Sequence, residues 1–404
     1  MKIAQLVEAA AGGTGRHVID LTQALLERGH QVHLVYSHLR ADEIFERDVR
    51  RLLDWQHFSV EPISLRRAPS PGDLVSAVRL RRSFRGNRFD IVHSHSTKAG
   101  LIGRMGMIGH SAKRVYSAHG FFTMDPNQTP LSRRMIAAAE ATLARFCDTV
   151  ITVSPEEFQH AREIGIAPEK LSLIPNGVAL PVGRVLPENP AGDFDARRED
   201  LRRQWGLRRN EICIGFVGRL VPVKSPETML QAFAALLGLT RTPVRLAMVG
   251  DGPLATRCHR LAVDRGIAQR VVWRGERDAR SLMPAFDIFT LTSDSEGHPM
   301  VVLEALANGL PVVATSVGGI STTVRHGLNG FAAPVRGSLQ IAQYLAALTA
   351  DPNLRLQMGR ASRSIAGDFS LDQMVTRIEA LYHRLIHGAP EPSAVPDLET
   401  SALR

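Results

Sequence analysis

Ser293-Asp294-Ser295-Glu296-Gly297-His298-Pro299-Met300-Val301-Val302-Leu303-Glu304-Ala305-Leu306-Ala307-Asn308-Gly309-Leu310-Pro311-Val312-Val313-Ala314 decides how this chain is read. A polar turn leads into an apolar helix over 299–307, and a short apolar strand follows at 312–314. Two carboxylates stand eight residues apart, Glu296 in the turn and Glu304 inside the helix. Pro299 suits the first helical position, where a missing N–H costs nothing. The N–H groups of residues 297 to 300 then form an anion site at the helix start, a place for a phosphate. Glu296 can grip a sugar hydroxyl beside it, and Glu304 a second one further along.

Outward from that stretch the same alternation runs through the chain. The first half reads as strands at 2–7, 31–36, 91–95, 114–119 and 149–154, with helices at 15–28, 74–85, 99–106 and 131–146. It closes near Leu173-Ile174-Pro175-Asn176-Gly177-Val178. The segment 179–209 breaks the rhythm with Pro181, Pro187, Pro190 and a charged run through Arg203, as a linker leading into a surface helix does. Strands then resume at 212–217, 244–249, 271–273, 288–291 and 312–314, with helices at 226–237, 253–264 and 299–307. Short apolar strands between amphipathic helices predict parallel sheets covered on both faces. The expected class is α/β, with two doubly wound Rossmann-like domains facing a central cleft at the carboxyl ends of their strands. The expected boundaries are a first domain 1–178, a linker 179–210, a second domain 211–369, a terminal helix 370–388 packing back on the first domain, and a disordered Pro-rich tail 389–404.

Bulk properties agree. A chain of 404 residues suits two domains of roughly 180–200 residues each. With 44% hydrophobic and 22% charged residues it can build proper cores. No apolar run reaches the roughly 20 residues that a membrane helix needs. Glu8 interrupts the first apolar strand and glycines follow it, so the start does not read as a signal peptide. Cys147, Cys213 and Cys258 are isolated and odd in number, which points to a reducing cytoplasm. The formal charge is +9, and Arg79, Arg81, Arg82, Arg85 and Arg88 crowd one short segment. Such a segment is either a solvated helix or an attractor of an anionic leaflet or a diphosphate. Aromatics at 5%, without a recognised motif, argue against nucleic acid.

Several strand ends carry chemistry. The strand at 212–217 runs into Gly218, Arg219 and, five residues on, Lys224. Two cations there can neutralise the charge that builds on a departing diphosphate, although a strand turn with Arg and Lys is by itself ordinary surface charge. Ala10-Ala11-Gly12-Gly13-Thr14-Gly15-Arg16-His17 fails as a dinucleotide fingerprint, because Val18 takes the third glycine's place and Val35-Tyr36-Ser37-His38 offers no ribose-binding acid. It is either a plain tight turn or a glycine loop that lies close to a phosphate or sugar. His119 ends an apolar strand before Gly120, where a ligand-facing role competes with a structural one. His93, His95 and His110 show no zinc-site spacing, so no metal is expected. Ser96, Thr97 and Lys98 can cradle an acceptor phosphate or simply cap a helix.

The 293–314 stretch resembles the E-x7-E signature of retaining family 4 glycosyltransferases of the GT-B fold. Gly218-Arg219-Leu220 with Lys224 is similar to the family's G-R-L-x-x-x-K segment, and the resemblance runs in order over nearly residues 1 to 388. It implies that Arg219 and Lys224 hold the donor diphosphate, that Glu296 binds the sugar and that Glu304 binds the ribose. His119 would sit beside the transferred sugar, and Gly12 and Gly13 would face the donor. The loops at Gly218, Gly250-Asp251-Gly252, Gly275, Gly297, His298, Pro299 and Met300 would line the nucleotide sugar. Two positions depart from the family pattern: Ala179 and Thr322 stand where an acid is common, and the second leaves the donor more open. The histidine strand with the 93–104 segment looks like bacterial surface-polysaccharide transferases that build on polyprenyl-diphosphate sugars. The expected activity is transfer of a sugar from a UDP- or GDP-sugar to a saccharide acceptor, without metal or other cofactor, at the inner face of the membrane. An epimerase or phosphorylase on the same architecture, or a non-catalytic sugar-nucleotide binder, are the rival expectations.

Overall fold

Strand and helix alternate as the apolar patterning demands, and the chain divides into two units. A computed structural model describes residues 1–66, 72–180 and 196–388. Pro181, Pro187, Pro190 and the tail 389–404 lie outside the described residues, as does the Arg85 side chain. The first unit comprises Met1–Met124, Gln128–Asn176 and the chain from Leu371; the second comprises Gly177–Ser370 with Asp125–Asn127.

The first unit begins with β1 (Lys2–Val7), α1 (Gly12–Glu27), β2 (Gln31–Ser37), α2 (Glu43–Leu52), β3 (Phe58–Ile63) and α3 (Gly72–Arg85). It continues with β4 (Ile91–His95), α4 (Thr97–Gly106), β5 (Lys113–Ser117), α5 (Pro130–Ala144), β6 (Thr149–Thr152), α6 (Pro155–Glu163) and β7 (Leu171–Leu173). All seven strands are parallel, in the order β3-β2-β1-β4-β5-β6-β7. The chain therefore grows outward from β1 on one side and restarts at β4 on the other. Ligand crevices form at such a switch point, beyond the carboxyl ends of the strands.

The second unit holds α7 (Ala196–Gln204), β8 (Ile212–Val217), α8 (Pro226–Leu237), β9 (Val244–Val249), α9 (Ala255–Asp264), β10 (Val271–Trp273) and α10 (Ala279–Leu282). After them come β11 (Ile288–Leu291), α11 (Met300–Ala307), β12 (Val312–Thr315), α12 (Ile320–Thr323), β13 (Gly330–Ala333), α13 (Ser338–Ala350) and α14 (Pro352–Asp368). The order β10-β9-β8-β11-β12-β13 puts its switch point between β8 and β11. Both strands are buried almost end to end, within a core that includes Phe216, Phe233, Phe286 and Phe289.

Two stretches depart from the patterning. The β3 strand carries no clear apolar run, because it is a half-exposed edge strand that tolerates Pro62, whereas α2 before it is patterned, burying Phe45, Val49 and Leu52 on one face. Helix α7, within the expected linker, is tied into the second unit: Arg198 and Arg202 both donate to Asp287, at 2.6 and 2.9 Å. The final helix, α15 (Leu371–His387), packs on α1 in the first unit, where Arg28 donates to Glu379 at 2.7 Å and Tyr382 is fully buried.

Candidate active site

At the switch point of the second unit, β8 and β11 are neighbours, so the loops that leave them must meet. Asp294 N–H donates to the Val223 carbonyl at 2.7 Å, and the Thr292 hydroxyl donates to the Ser225 carbonyl at 2.9 Å. Ser225 is left-handed (φ 47°), which turns the chain from Pro222–Lys224 directly into α8. These ties bring Lys224 Nζ to 2.5 Å from Glu296 Oε1, and the Ser293 hydroxyl donates to the same oxygen at 2.5 Å. Glu296 is 8% exposed at its side chain and Lys224 22%, so the pair is only partly shielded from water. Arg219 is exposed at the end of β8 beyond Gly218. Lys224 and Glu296 thus meet at the carboxyl ends of β8 and β11, and Arg219 stands on the same β8 loop as Lys224.

The neighbouring strand ends close around them through glycines. A Cβ on Gly250 would lie 2.0 Å from the Gly218 carbonyl oxygen, and one on Gly318 would lie 1.9 Å from that of Glu296. Both glycines have positive φ. Gly250 N–H donates to Gly275 at 2.6 Å, which joins the β9 and β10 loops. Gly319 N–H donates to Gly297 at 2.5 Å, so the Gly318-Gly319 turn presses on the entrance to α11.

Helix α11 starts one residue later than its sequence suggests. Pro299 is the N-cap with extended φ and ψ, and its carbonyl accepts from Val302 and Leu303. Met300 is therefore the first helical residue, and Pro299 contributes a carbonyl rather than a missing donor. His298 is buried and held neutral, its pKa lowered by burial to about 3, with its ring tilted on Phe369. Glu304 is 3% exposed and accepts from Arg280 Nε of α10 at 3.1 Å. Thr322, where the family pattern has an acid, donates to the Gly319 carbonyl at 2.9 Å. Sequence spacing gave no sign of two further participants. Arg336, left-handed after β13, donates to the shielded carboxylate of Asp294 at 2.8 Å.

The switch point of the first unit collects different chemistry. Gly12 and Gly13 lie inside the first turn of α1, which begins at Gly12 rather than at 15. Gly12 N–H donates to Asp42 Oδ2 at 2.8 Å, while Asp42 Oδ1 caps α2 through Phe45 N–H at 2.7 Å. The protein's own carboxylate thus takes one donor of the helix start that the glycine loop offers an anion. Ser96 has a positive φ (72°) and gives α4 no side-chain cap, Thr97 is exposed, and Lys98 Nζ donates to the Arg66 carbonyl at 2.6 Å. Nearby Glu8, 5% exposed, accepts from Arg40 at 2.6 Å.

His119 follows the end of β5 in a left-handed conformation (φ 54°) that costs a non-glycine residue energy. Glu157 holds that turn, accepting from Gly120 N–H at 2.8 Å and Val153 N–H at 2.7 Å. His17 and His95 join His119 from α1 and β4, and candidate ligand nitrogens of the three lie within 4.8 Å of one another. His93 lies against His95 as well, with ring centroids 4.0 Å apart, but its nitrogens are taken by Tyr382 and Ser117, so of the histidines read from the sequence His95 and His119 join this set. Among the described residues His17, His95 and His119 are the set that can hold a metal ion. His110 instead meets the Phe84 carbonyl. Burial pushes His95 and His119 well below the ordinary histidine range and His17 to about 4, so all three are neutral at pH 7.

Comparisons with known proteins bear on the family and the fold. The model described as "Glycosyltransferase Family 4" matches residues 11–180, and the model described as "Glycosyl transferases group 1" matches 197–365. An N-acetyl-alpha-D-glucosaminyl L-malate synthase of Bacillus anthracis is 26% identical, over 96% of this chain and 97% of its own. An Escherichia coli UDP-Gal:alpha-D-GlcNAc-diphosphoundecaprenol alpha-1,3-galactosyltransferase is 27% identical, over 77% of this chain and 79% of its own. Anabaena HepE, solved in complex with UDP and glucose, superposes with a TM-score of 0.79 at 24% identity, covering 95% of this chain and 99% of that one. With one glycosyltransferase model on each half, and two parallel sheets built around strand-end loops, the chain is a family 4, group 1 glycosyltransferase of the GT-B fold.

Proposed function

We propose that this enzyme transfers a sugar from a UDP-sugar, with retention of anomeric configuration, to a saccharide carried on a lipid diphosphate. The observation that carries the proposal is the Lys224–Glu296 pair beside Arg219 at the β8/β11 switch point. An ammonium has three donors, so Lys224 can keep Glu296 while also donating to a phosphate oxygen. Arg219 adds a second, water-facing cation, and together they stabilise negative charge as the nucleoside diphosphate leaves. Glu296 takes a sugar hydroxyl, Glu304 the ribose, and His119 a hydroxyl of the transferred sugar. The leaving phosphate itself accepts the acceptor's proton, and the reaction draws on no metal. Uridine is favoured because the Escherichia coli relative is named for UDP-Gal and HepE was solved with UDP.

The lipid-linked acceptor is supported by the same Escherichia coli name and by a surface of the first unit. Helices α3, α4 and α5 adjoin. Leu101, Met105 and Ile108 of the α4 region and Leu131 and Met135 of α5 are exposed, the last two at 70% and 66%. Arg79, Arg81, Arg82 and Arg88 are exposed on and just after α3, and Arg133 and Arg134 on α5. Apolar side chains rimmed by arginine suit the headgroup region of an anionic leaflet, where each cation contributes about 1 kcal/mol. No described helix is long and apolar enough to cross a membrane, so this attachment would be peripheral.

The test is release of nucleoside diphosphate from a panel of UDP- and GDP-sugars, with polyprenyl-diphosphate saccharides and with soluble acceptors including malate. Turnover with a UDP-sugar and a lipid-linked acceptor is the expected result. Preference for malate or another soluble acceptor would overturn the acceptor assignment, and preference for GDP-sugars the donor assignment.

A further inference from the structure

A hydrogen-bonded chain beneath His119 is left unused by the roles above. Strand registers put Gln5 opposite His93, and His95 opposite Ser117, so these side chains share one face of the first sheet. That face is polar at its carboxyl end. His93 lies 2.6 Å from the Tyr382 hydroxyl through Nδ1 and 2.8 Å from the Ser117 hydroxyl through Nε2. His95 lies 2.5 Å from Gln5 Oε1 through Nε2 and 2.9 Å from His119 Nε2 through Nδ1. Gln5, His93 and His95 are all fully buried, so this chain is shielded from water and its proton positions are set from within.

The polarity follows from valence. An amide oxygen can only accept, so the proton between Gln5 and His95 sits on His95 Nε2. A neutral imidazole has one N–H, which leaves His95 Nδ1 a bare acceptor. The proton between the two histidines therefore belongs to His119 Nε2, and His119 Nδ1 is bare in turn. Burial and the surrounding imidazoles keep both rings neutral, so neither gains a second proton at pH 7. The other end of the Gln5 amide, Nε2, is buried and makes no hydrogen bond, so the orientation of the amide is read from the 2.5 Å contact of its Oε1 with His95.

We infer that Gln5 and His95 are positioning residues that fix the tautomer of His119, so that His119 meets the transferred sugar through Nδ1 as a hydrogen-bond acceptor. A sugar hydroxyl then donates to His119, and its oxygen gains electron density. Had the Gln5 amide the opposite orientation, every proton in the chain would reverse and His119 would present Nδ1–H, a donor. The catalytic meaning of the relay rests on the placement of His119 at the sugar; its polarity does not.

Long-range proton–nitrogen correlation spectra of the full chain, labelled with ¹⁵N-histidine, read the tautomers directly in the wild type. The expected result is Nε2–H for both His95 and His119. Finding Nδ1–H on His119 overturns the inference. Two variants read the effect on transfer. Gln5→Leu removes the acceptor and should lower kcat on the order of tenfold, with a mixed His119 tautomer. Gln5→Glu restores an accepting oxygen and should recover most of that loss. A merely structural Gln5 predicts the reverse ranking, since a buried carboxylate is harder to accommodate than leucine, and that ranking would overturn the positioning role. If the tautomers are as stated but His119→Ala transfers sugar normally, the relay stands and the assignment of His119 to the sugar falls.

Discussion

Acidification should loosen the first unit before it touches most carboxylates, and the buried histidines set the size of the effect. Burial holds His17 at about 4 instead of 6.5, with Asn176 opposing the shift. His93, His95 and His119 are lowered too, first by burial and then by neighbouring imidazoles. A histidine lowered by folding stabilises the fold while neutral, fully above 6.5, and loses that contribution as pH falls toward its folded value. For His17 alone the span from 6.5 to about 4 is worth about 3 kcal/mol at roughly 1.4 kcal/mol per unit. The ring is 3% exposed, so water screens little of this. Glu157 works the other way: burial raises it from 4.5 to about 7, so its protonation returns stability as pH falls through that window. Four histidines against one acid leave a net loss between pH 6.5 and 4.5. Hydrogen exchange of the β4 and β5 peptides, corrected for intrinsic rates and followed from pH 8 to 4.5, measures it. The expected profile is a loss of protection below pH 6.5 that is shallower in His17→Gln. Flat protection across the range, or an identical profile in the variant, refutes the reasoning.

Three further outcomes follow from the site. Lys224→Ala and Arg219→Ala should each lower turnover roughly 100-fold in a nucleoside diphosphate release assay, since charge-stabilising donors of this kind contribute about 3 kcal/mol; unchanged turnover in both removes the diphosphate clamp. Transfer should persist in excess chelator and the product should keep the donor's anomeric configuration by proton NMR; metal-reversible loss of activity, or inversion, contradicts one part each. Sedimentation with anionic vesicles should capture the protein at low salt and release it at high salt, and Leu131→Asp with Met135→Asp should weaken capture; indifference to anionic vesicles refutes the membrane-facing surface.

The rhythm of the fold was legible because parallel strands buried on both faces must be short apolar runs, as at Ile212–Val217 and Ile288–Leu291. The edge strand β3 was not, since one exposed side removes the need for apolar residues and admits Pro62. At the candidate site, residues borne by a single loop were legible: Gly218, Arg219 and Lys224 leave one strand, and Glu296 precedes one helix. What joins them was hidden in sheet order. Lys224 and Glu296 are 72 positions apart, and their contact depends on β8 lying beside β11. His17, His95 and His119 come from three elements with no common spacing, so the missing zinc pattern carried no information about whether imidazoles converge. Asp294 and Arg336 pair across two loops for the same reason.

The last helix constrains how this protein can be made. Tyr382 of α15 supplies the hydroxyl beside His93, Glu379 receives Arg28 and His30, and Val375 and Ile378 are buried in the core that α1 helps to form. Domains generally fold from the N-terminus as the ribosome delivers them. Here the unit that begins at Met1 lacks one of its layers until residues 371–388 have emerged, whereas Gly177–Ser370 is wholly synthesised by then. The half translated first is thus the half completed last. Until that moment His93 and the polar face around it lack the side chains that cover them, and any cut or early stop before Leu371 leaves them so.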